Sequence, residues 1–510
     1  MGFFRKRETQ GKLTNNQYGK DSDKEPRQAS FSKLKDNIDY LNKALRYSGD
    51  LKIRILENGS AALIYLESLV DQEKVTENIF NPVLVGKFSS IMDLPNGKQT
   101  ENLEEVIPTL IRGHAVYIED GNHKINQFNV TSDFNRQIAE PANERIIRGS
   151  HEGFVENTMI NINLVRKQIE HRDLTVRTFK LGKKTNVNLA MVYMDEITDP
   201  QLVRRVTERI KSITADLVLS PGYIEEYMED STFSPFPQML NTERPDKAVA
   251  NLMEGRIALF LEGSPTALIL PSTFFMFYQS PDDYNSRWFT GTFTRLIRLA
   301  SFLIAIGLPS FYIAVISFHF EVLPDDLIFP VKGSINEIAY PPIAEAFIMV
   351  IIIELIREAG IRLPQPIGQT IGIVGGLVIG DAIIRAGLVS NLMVIVVALT
   401  AIASFVVPSN EMSSTLRILT FPLIILAGAL GFIGIAFGML FLFIHLVKLE
   451  SFGTPYFAPV APLRFKDLKD TFVRLPLFTL KTRPKDAQPV RSERMQESRE
   501  WKNSGKPTDS

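Results

Sequence analysis

QPIGQTIGIVGGLVIGDAIIRAG, running from Gln365 to Gly387, is apolar, is long enough for a membrane helix and carries six glycines. Four of them, Gly368, Gly372, Gly376 and Gly380, recur at a spacing of four. Each glycine inside a helix costs about 0.8–1 kcal/mol relative to alanine, so a regular row needs a compensating contact that only a bare backbone face can make. In lipid, small residues at this spacing let helix backbones approach closely, and dispersion contacts replace the missing hydrophobic drive. Steps of four on a 3.6-residue helix drift by about 40° each, so one side of the row can meet a neighbour while the rest borders a narrow conduit. Close packing is the simpler reading and a pore the bolder one. Gly428, Gly431, Gly434 and Gly438 repeat the pattern further along.

Around this stretch the chain changes character. It has 510 residues, a net charge of −1 and no cysteine, which excludes a disulfide framework, thiolate metal sites and a cysteine nucleophile. Near-neutral charge argues against nucleic acid as a partner, because phosphate contacts need a concentrated basic face. Up to about Pro245 the sequence is charged and mixed; from Leu296 to Val447 it is largely apolar, then polar again to Ser510. The opening MGFFRKRETQGKLTNNQYGK has basic residues with no apolar run behind them, unlike a secretory signal. The soluble half is therefore expected in the cytoplasm.

Residues 1–30 read as a disordered arm, and 31–245 as a soluble α/β or α+β region with room for two lobes. AALIYLE (Ala61–Glu67) and NLAMVYMDEI (Asn188–Ile197) look like buried strands, and AVYIEDGNHKINQF like a hairpin turning near Gly121. DPQLVRRVTERIKSI is a helix pattern with Asp199 suited to the N-cap and Pro200 to the first helical position. Residues 246–295 read as a coupling region. Within it, IALFLEGSPTALILPSTFFMFYQ (Ile257–Gln279) is apolar but interrupted by Glu262, Gly263, Pro265 and Pro271. It is expected to be interfacial or re-entrant, with burial in the soluble domain as the alternative.

Residues 296–447 read as an α-helical polytopic membrane domain of four to six segments. Leu296–Phe320, Leu388–Val407 and Ile418–Val447 each meet the length of about 20 apolar residues that crosses a bilayer. Ile343–Ile356 and Ile367–Ile384 are spans or half-spans. Arg295, Arg298, Arg357, Arg362 and the basic tail 448–510 are predicted to face the cytoplasm, and the acidic loop with Glu321, Asp325, Asp326 and Glu337 to face outside. Both ends inside demands an even number of crossings, yet five candidates are visible.

No phosphate-binding loop is present: GKKT at Gly182–Thr185 has Arg177 where the leading glycine should stand. The six histidines lack HxxxH or HExxH spacing, and no GxSxG elbow or framed pair of acids occurs. No enzymatic activity, metal or cofactor is expected. Ionisable residues inside membrane segments face a bundle interior or a water path, which makes Glu345, Glu354 and Asp381, with Gln369, Gly372, Gly376 and Gly380, the candidate pore or gate. The plainer readings are a local ion pair of Asp381 with Arg385, and of Glu354 with Arg357. Gly368, Gly428, Gly431, Gly434 and Gly438 are candidate helix-packing positions. Glu243, Arg244, Pro245, Asp246, Glu254 and Arg256, where composition changes, are candidates for coupling the two halves or, more simply, a capped linker.

Several stretches together resemble one family, the A subunit of the spore germinant receptors of endospore-forming bacteria. They are ERIIRGSHEGFVENTMINI, NLVRKQIEHRDLTVRTFKLGKKT, SPGYIEEYMEDS, SPFPQMLNTERPDKAVANLMEGRIALFLEGSP, QSPDDY, ELIREAGIRLPQPIGQTIGIVGGLVIG, IVVALTAIASF and HLVKLESFGTPYFAPVAP. They cover most of Tyr65 to about Pro462, in family order. The resemblance implies a nutrient-gated receptor in the inner membrane of the dormant spore, with a permease-like B subunit and a lipoprotein C subunit as partners. It also implies a homo-oligomer of the A subunit in contact with membrane lipid, forming or gating a cation path. Two departures stand out: Asp381, Arg385 and Asn391 replace a less charged helix end, and Ser150 and His151 alter the SHEGF stretch. A nutrient transporter and a non-conducting scaffold are the rival readings; against the first, no inverted repeat pairs two broken helices.

Overall fold

The computed structural model describes residues 28–56, 59–88, 90–132, 140–336, 338–496 and 498–499. Nearly all of the arm expected over 1–30, and Glu337, lie outside them. The chain divides into two compact units, Met1–Tyr47 with Leu51–Ser132, and Ser48–Asp50 with Asp133–Ser510.

The first unit is built on an antiparallel sheet of β1 (Leu51–Leu56), β2 (Ala61–Leu66), β3 (Lys98–Thr100), β4 (His114–Glu119) and β5 (Ile125–Asn129), in the order β1-β2-β4-β5-β3. AALIYL is buried along its whole length because β2 is covered on both faces. Ala62, Ile64 and Leu66 pack with α1 (Leu34–Ala44) and α2 (Leu103–Ile111), while Ala61, Leu63 and Tyr65 pack with Val75, Ile79 and Phe128. This is the period-2 alternation of a strand. The expected hairpin joins β4 to β5, with Gly121 at φ +76°.

The second unit begins with another five-stranded antiparallel sheet, β6 (Leu174–Leu181), β7 (Val187–Met194), β8 (Leu240–Thr242), β9 (Ile257–Leu261) and β10 (Ala267–Leu270), ordered β6-β7-β9-β10-β8. The helices α3 (Thr158–Gln168) and α6 (Pro245–Leu252) cover one face; α4 (Pro200–Ser212) and α5 (Pro221–Met228) cover the other. Asp199 caps α4 as its sequence implies, Oδ1 accepting from Gln201 N at 3.0 Å. GKKT is the turn between β6 and β7.

Ile257–Gln279 is not an interfacial segment. It supplies β9 and β10, both wholly buried, and the 3-10 turn Phe274–Tyr278, also buried. Glu262 and Gly263 belong to the tight turn between the strands. A dry sheet interior selects the same apolar residues as a bilayer does, so the interruptions mark turns rather than membrane breaks.

Seven helices follow: α7 (Trp288–Phe318), α8 (Asp325–Asn336), α9 (Pro342–Arg362), α10 (Gln365–Arg385), α11 (Asn391–Phe405), α12 (Asn410–Leu430) and α13 (Phe432–Lys448). Among the described residues, α7 and α12 are long and apolar enough to cross a membrane, and α11 and α13 are shorter apolar helices. The single span expected over Ile418–Val447 is two helices, broken at Gly431 with φ +61°. A Cβ on Gly438 would touch Leu423 and Leu426, and one on Gly434 would overlap the Leu426 carbonyl, so α13 doubles back on α12. Contacts fix the other directions too. Thr420 on α12 bonds the carbonyl of Ala305 on α7, and Gly431 lies against Phe318, so α7 and α12 run alike. Glu354 meets Arg417 while Ile343 meets Gly428, so α9 runs opposite to α12. Apart from α8, the helices therefore alternate in six passes away from and back toward the second sheet.

Candidate functional site

The sheet of the second unit meets its helices through a buried charge cluster. QSPDDY (Gln279–Tyr284) turns the chain toward α7, and Gly291 on the first turns of α7 lies so close that a Cβ there would sit 2.5 Å from the Asp283 carbonyl. Arg295 and Arg298, one turn apart, then reach the same carboxylate. Arg295 Nε is 3.2 Å from Asp283 Oδ2, and Arg298 Nη1 is 2.8 Å from Oδ1. The far side of Arg295 binds Asp470 of the C-terminal segment, at 3.0 Å to Oδ1 and also through the main-chain carbonyl. Tyr284 Oη donates to Asp470 Oδ2 at 2.9 Å, and Gln279 Nε2 to the Asp470 carbonyl at 3.1 Å. Burial, with the Asp470 carboxylate next in size, pushes the Tyr284 phenol far above its ordinary range, so it stays a donor.

A second seam lies at Ser234–Pro237. Ser234 Oγ and His445 Nε2 are 2.8 Å apart near the end of α13, Thr415 Oγ1 on α12 donates to the Pro235 carbonyl at 2.5 Å, and Tyr456 Oη donates to the Pro237 carbonyl at 2.7 Å. Motion of either hairpin leg would be felt in this loop.

The six coupling candidates sit mostly within the sheet lobe. Arg244 is fully buried and grips Asp246 through two bonds of 3.1 and 2.7 Å, with Nη2 also donating to Ser150 O at 2.8 Å. Pro245 opens α6. Glu243 accepts from Asn143 and shares a cavity of about 110 Å³ with Asn410 and Glu411 at the start of α12. Arg256 bonds Pro271 O and Asp486, each at 2.6 Å, and stands 3.6 Å from Glu254. These residues tie the lobe to the 140–150 segment and the C-terminal segment; the direct link to α7 is Asp283.

Every acidic pore candidate has a partner. Glu345 is buried and accepts from the Ser390 amide at 2.5 Å; Ser390 Oγ in turn lies 3.0 Å from Tyr312 Oη and caps α11. Glu354 pairs with Arg357 and lies 3.5 Å from Arg417 Nε, beside a cavity of about 30 Å³. Asp381 and Arg385 form an exposed pair at 2.9 Å, the local ion pair anticipated as the plainer reading. Gln369 lies on α10, its side chain outside the described residues. Among the glycines, Gly368 packs on the Gly360 backbone, Gly428 on Ile343, Gly431 on Phe318 and His319, and Gly434 and Gly438 along α12. Gly372, Gly376 and Gly380 differ: a Cβ at any of them would meet no described atom within 4 Å.

Residues 39–486 match the Bacillus/Clostridium GerA spore germination protein family. The chain belongs to the GerA spore germination protein family. It is similar to Spore germination protein B1 of Bacillus subtilis (strain 168), 39% identical over 89% of this chain and 97% of that one. It is equally close to YfkQ of the same organism, an uncharacterized membrane protein, at 39% over 88% and 90%. Spore germination protein GerLA of Bacillus cereus is 37% identical over 84% and 89%. The crystal structure of the N-terminal domain of the A subunit of the Bacillus megaterium spore germinant receptor GerK3 aligns with 49% of this chain and 99% of its own, at 27% identity and a TM-score of 0.38.

In this GerA-family chain, the residues that sequence reasoning passed over are Asp283, Arg295 and Arg298 as one unit, Asp470, and the Glu345–Ser390–Tyr312 cluster. QSPDDY and the two arginines were visible as a motif and as an orientation signal. Nothing in the sequence joins them to Asp470, which lies 175 positions after Arg295.

Proposed function

We propose that this chain is the A-type subunit of a nutrient receptor of the spore membrane. Its six alternating helices would cross the bilayer, with both soluble ends on the cytoplasmic side, and would self-associate through α10 around a cation path. The observation that carries this reading is the open face at Gly372, Gly376 and Gly380. Three glycines in a helix forgo about 2.5–3 kcal/mol of helix propensity, and among the described residues no neighbour uses the space they leave. A second copy approaching backbone to backbone accounts for that. Splitting Ile418–Val447 into two legs raises five apolar segments to six, the even number that both ends on one side requires. Nutrient bound by a permease-like partner, with a lipoprotein subunit alongside, would shift the helices between closed and open arrangements. The Asp283–Arg295–Asp470 cluster would carry the shift between helices and lobe.

The local pairing of Glu354 and Asp381 favours the rival reading, a non-conducting scaffold. Ion flux with the partner subunits present separates the two. Block or altered selectivity in Gly376→Leu or Glu354→Gln, after equal assembly is confirmed, supports conduction. Unchanged flux through both variants leaves the scaffold.

A further inference from the structure

A cavity of about 320 Å³ lies in the lobe between α6, the Met276–Asn285 stretch and the C-terminal residues Leu477 and Arg494. That size is in the range of small-ligand sites. Most donors on its wall are spent elsewhere, those of Ser280 and Arg494 apart. Asn251 Nδ2 donates to the Lys247 carbonyl at 2.8 Å, Asn285 Nδ2 to the Arg148 carbonyl at 2.6 Å, and Lys247 Nζ lies 2.8 Å from Glu144. Tyr284 and Gln279 both donate to Asp470. The acceptors left on this wall are the side-chain carbonyls of Asn251 and Asn285, and the carboxylate of Glu254.

Glu254 is the most telling of these. Its ion-pair partner among the described residues, Arg256, stands 3.6 Å off and makes its short bonds to Pro271 and Asp486 instead. Burial holds the Glu254 carboxyl up to about 7; Arg256 and Arg494 pull it down, and Asp486 and Asp470 push it up. Arg483 and Tyr284 also stand within its field. Arg256 meets this carboxylate at long range, so on the wall it shares with Asn251 and Asn285 Glu254 keeps acceptor capacity toward the cavity.

We propose that this cavity binds a small solute by its ammonium group, seated on Glu254 with its other N–H bonds to Asn251 and Asn285. Met276 and Leu477 offer an apolar wall to a short hydrocarbon stem, and Arg494 at the rim suits an anionic far end. Tyr284 and Gln279 connect the occupant to Asp470, and so to Arg295 of α7. This site stands independently of the conduction reading, because binding is measured on the chain alone.

The test is calorimetry on the full-length chain in detergent, with propylammonium, 3-aminopropanoate and, as control, propanoate. Saturable binding of both amines and none of propanoate is expected, the zwitterion binding tighter. Binding should strengthen about tenfold from pH 6 to pH 8 as Glu254 ionises. Glu254→Gln should weaken it at least tenfold, and Asn251→Leu, which replaces an acceptor carbonyl by a methyl, should weaken it as well, both with an unfolding temperature matching the native chain. Absence of saturable binding by either amine overturns the proposal, as does equal binding by the native chain and Glu254→Gln.

Discussion

The Asp283 carboxylate and the Arg295 guanidinium meet with both side chains fully buried, Oδ2 to Nε at 3.2 Å, and Arg298 closes on the same carboxylate. Removing one member of such a set costs far more than the set itself contributes, because the partner is left charged and dry. Asp283→Ala is expected to destabilise the detergent-solubilised chain by about 3–5 kcal/mol, measured by denaturant unfolding. The double variant Asp283→Leu/Arg295→Leu should recover only part of that loss, because Arg298 and Asp470 each still lose a partner. A single variant within about 0.5 kcal/mol of native would show that the cluster is hydrated and is not a rigid joint.

The two classes of glycine should part in a simple substitution. A Cβ at Gly434 overlaps the Leu426 carbonyl, so Gly434→Ala forces α13 away from α12 and should cost about 1–3 kcal/mol. Gly376→Ala adds a methyl in open space and should leave the isolated chain unchanged or up to about 1 kcal/mol more stable. Unfolding of the dispersed chain reads both. A large loss at Gly376 would mean that its face is already packed within one chain.

Burial, then the neighbouring carboxylates of Glu411 and Glu229, push Glu225 up to about 8. The folded state thus holds a proton that the unfolded state has released, and stability falls as pH rises from the ordinary carboxylate range to about 8. Glu225→Gln removes that penalty. The variant should be more stable than the native chain at pH 8 and indistinguishable near pH 4, as followed by thermal unfolding across the range. A constant difference at all pH values would assign the effect to packing.

The C-terminal segment is strapped to the lobe. Asp486 binds Arg256 at 2.6 Å, Arg483 Nε donates to the Met253 carbonyl at 2.7 Å, and Val490 N donates to the Ile197 carbonyl at 2.8 Å. Asp486→Ala leaves buried Arg256 with only its longer contact of 3.6 Å to the Glu254 carboxylate and should loosen the strap. Limited trypsin digestion should then cut faster after Lys481 and Lys485, with cleavage elsewhere unchanged. Equal rates would show that the other bonds suffice.

Elements governed by local chemistry were legible in the chain itself. Short apolar runs marked β2 and β7 as buried strands, Asp199 and Pro200 marked the start of α4, and Gly121 marked its hairpin. The small residues along α10 and α13 were legible as surfaces for close approach, since only missing side chains permit it. Which of them are used was not, because a neighbour's position is a long-range fact: Gly434 meets α12, whereas Gly376 meets nothing among the described residues. Polarity alone could not separate bilayer from sheet core for Ile257–Gln279, since both exclude water. The pairing of Arg295 with Asp470 was likewise out of reach, because charges distant in sequence carry no mark of their partners. The sequence by itself determined the two-part character of the chain, its family and most of its local elements. Only the tertiary structure decided that Gly431 breaks a span into a hairpin, that Glu345 meets Ser390 and Glu354 meets Arg417, and that α7 joins the lobe at Asp283, because those outcomes depend on which dry surfaces and charges meet in space.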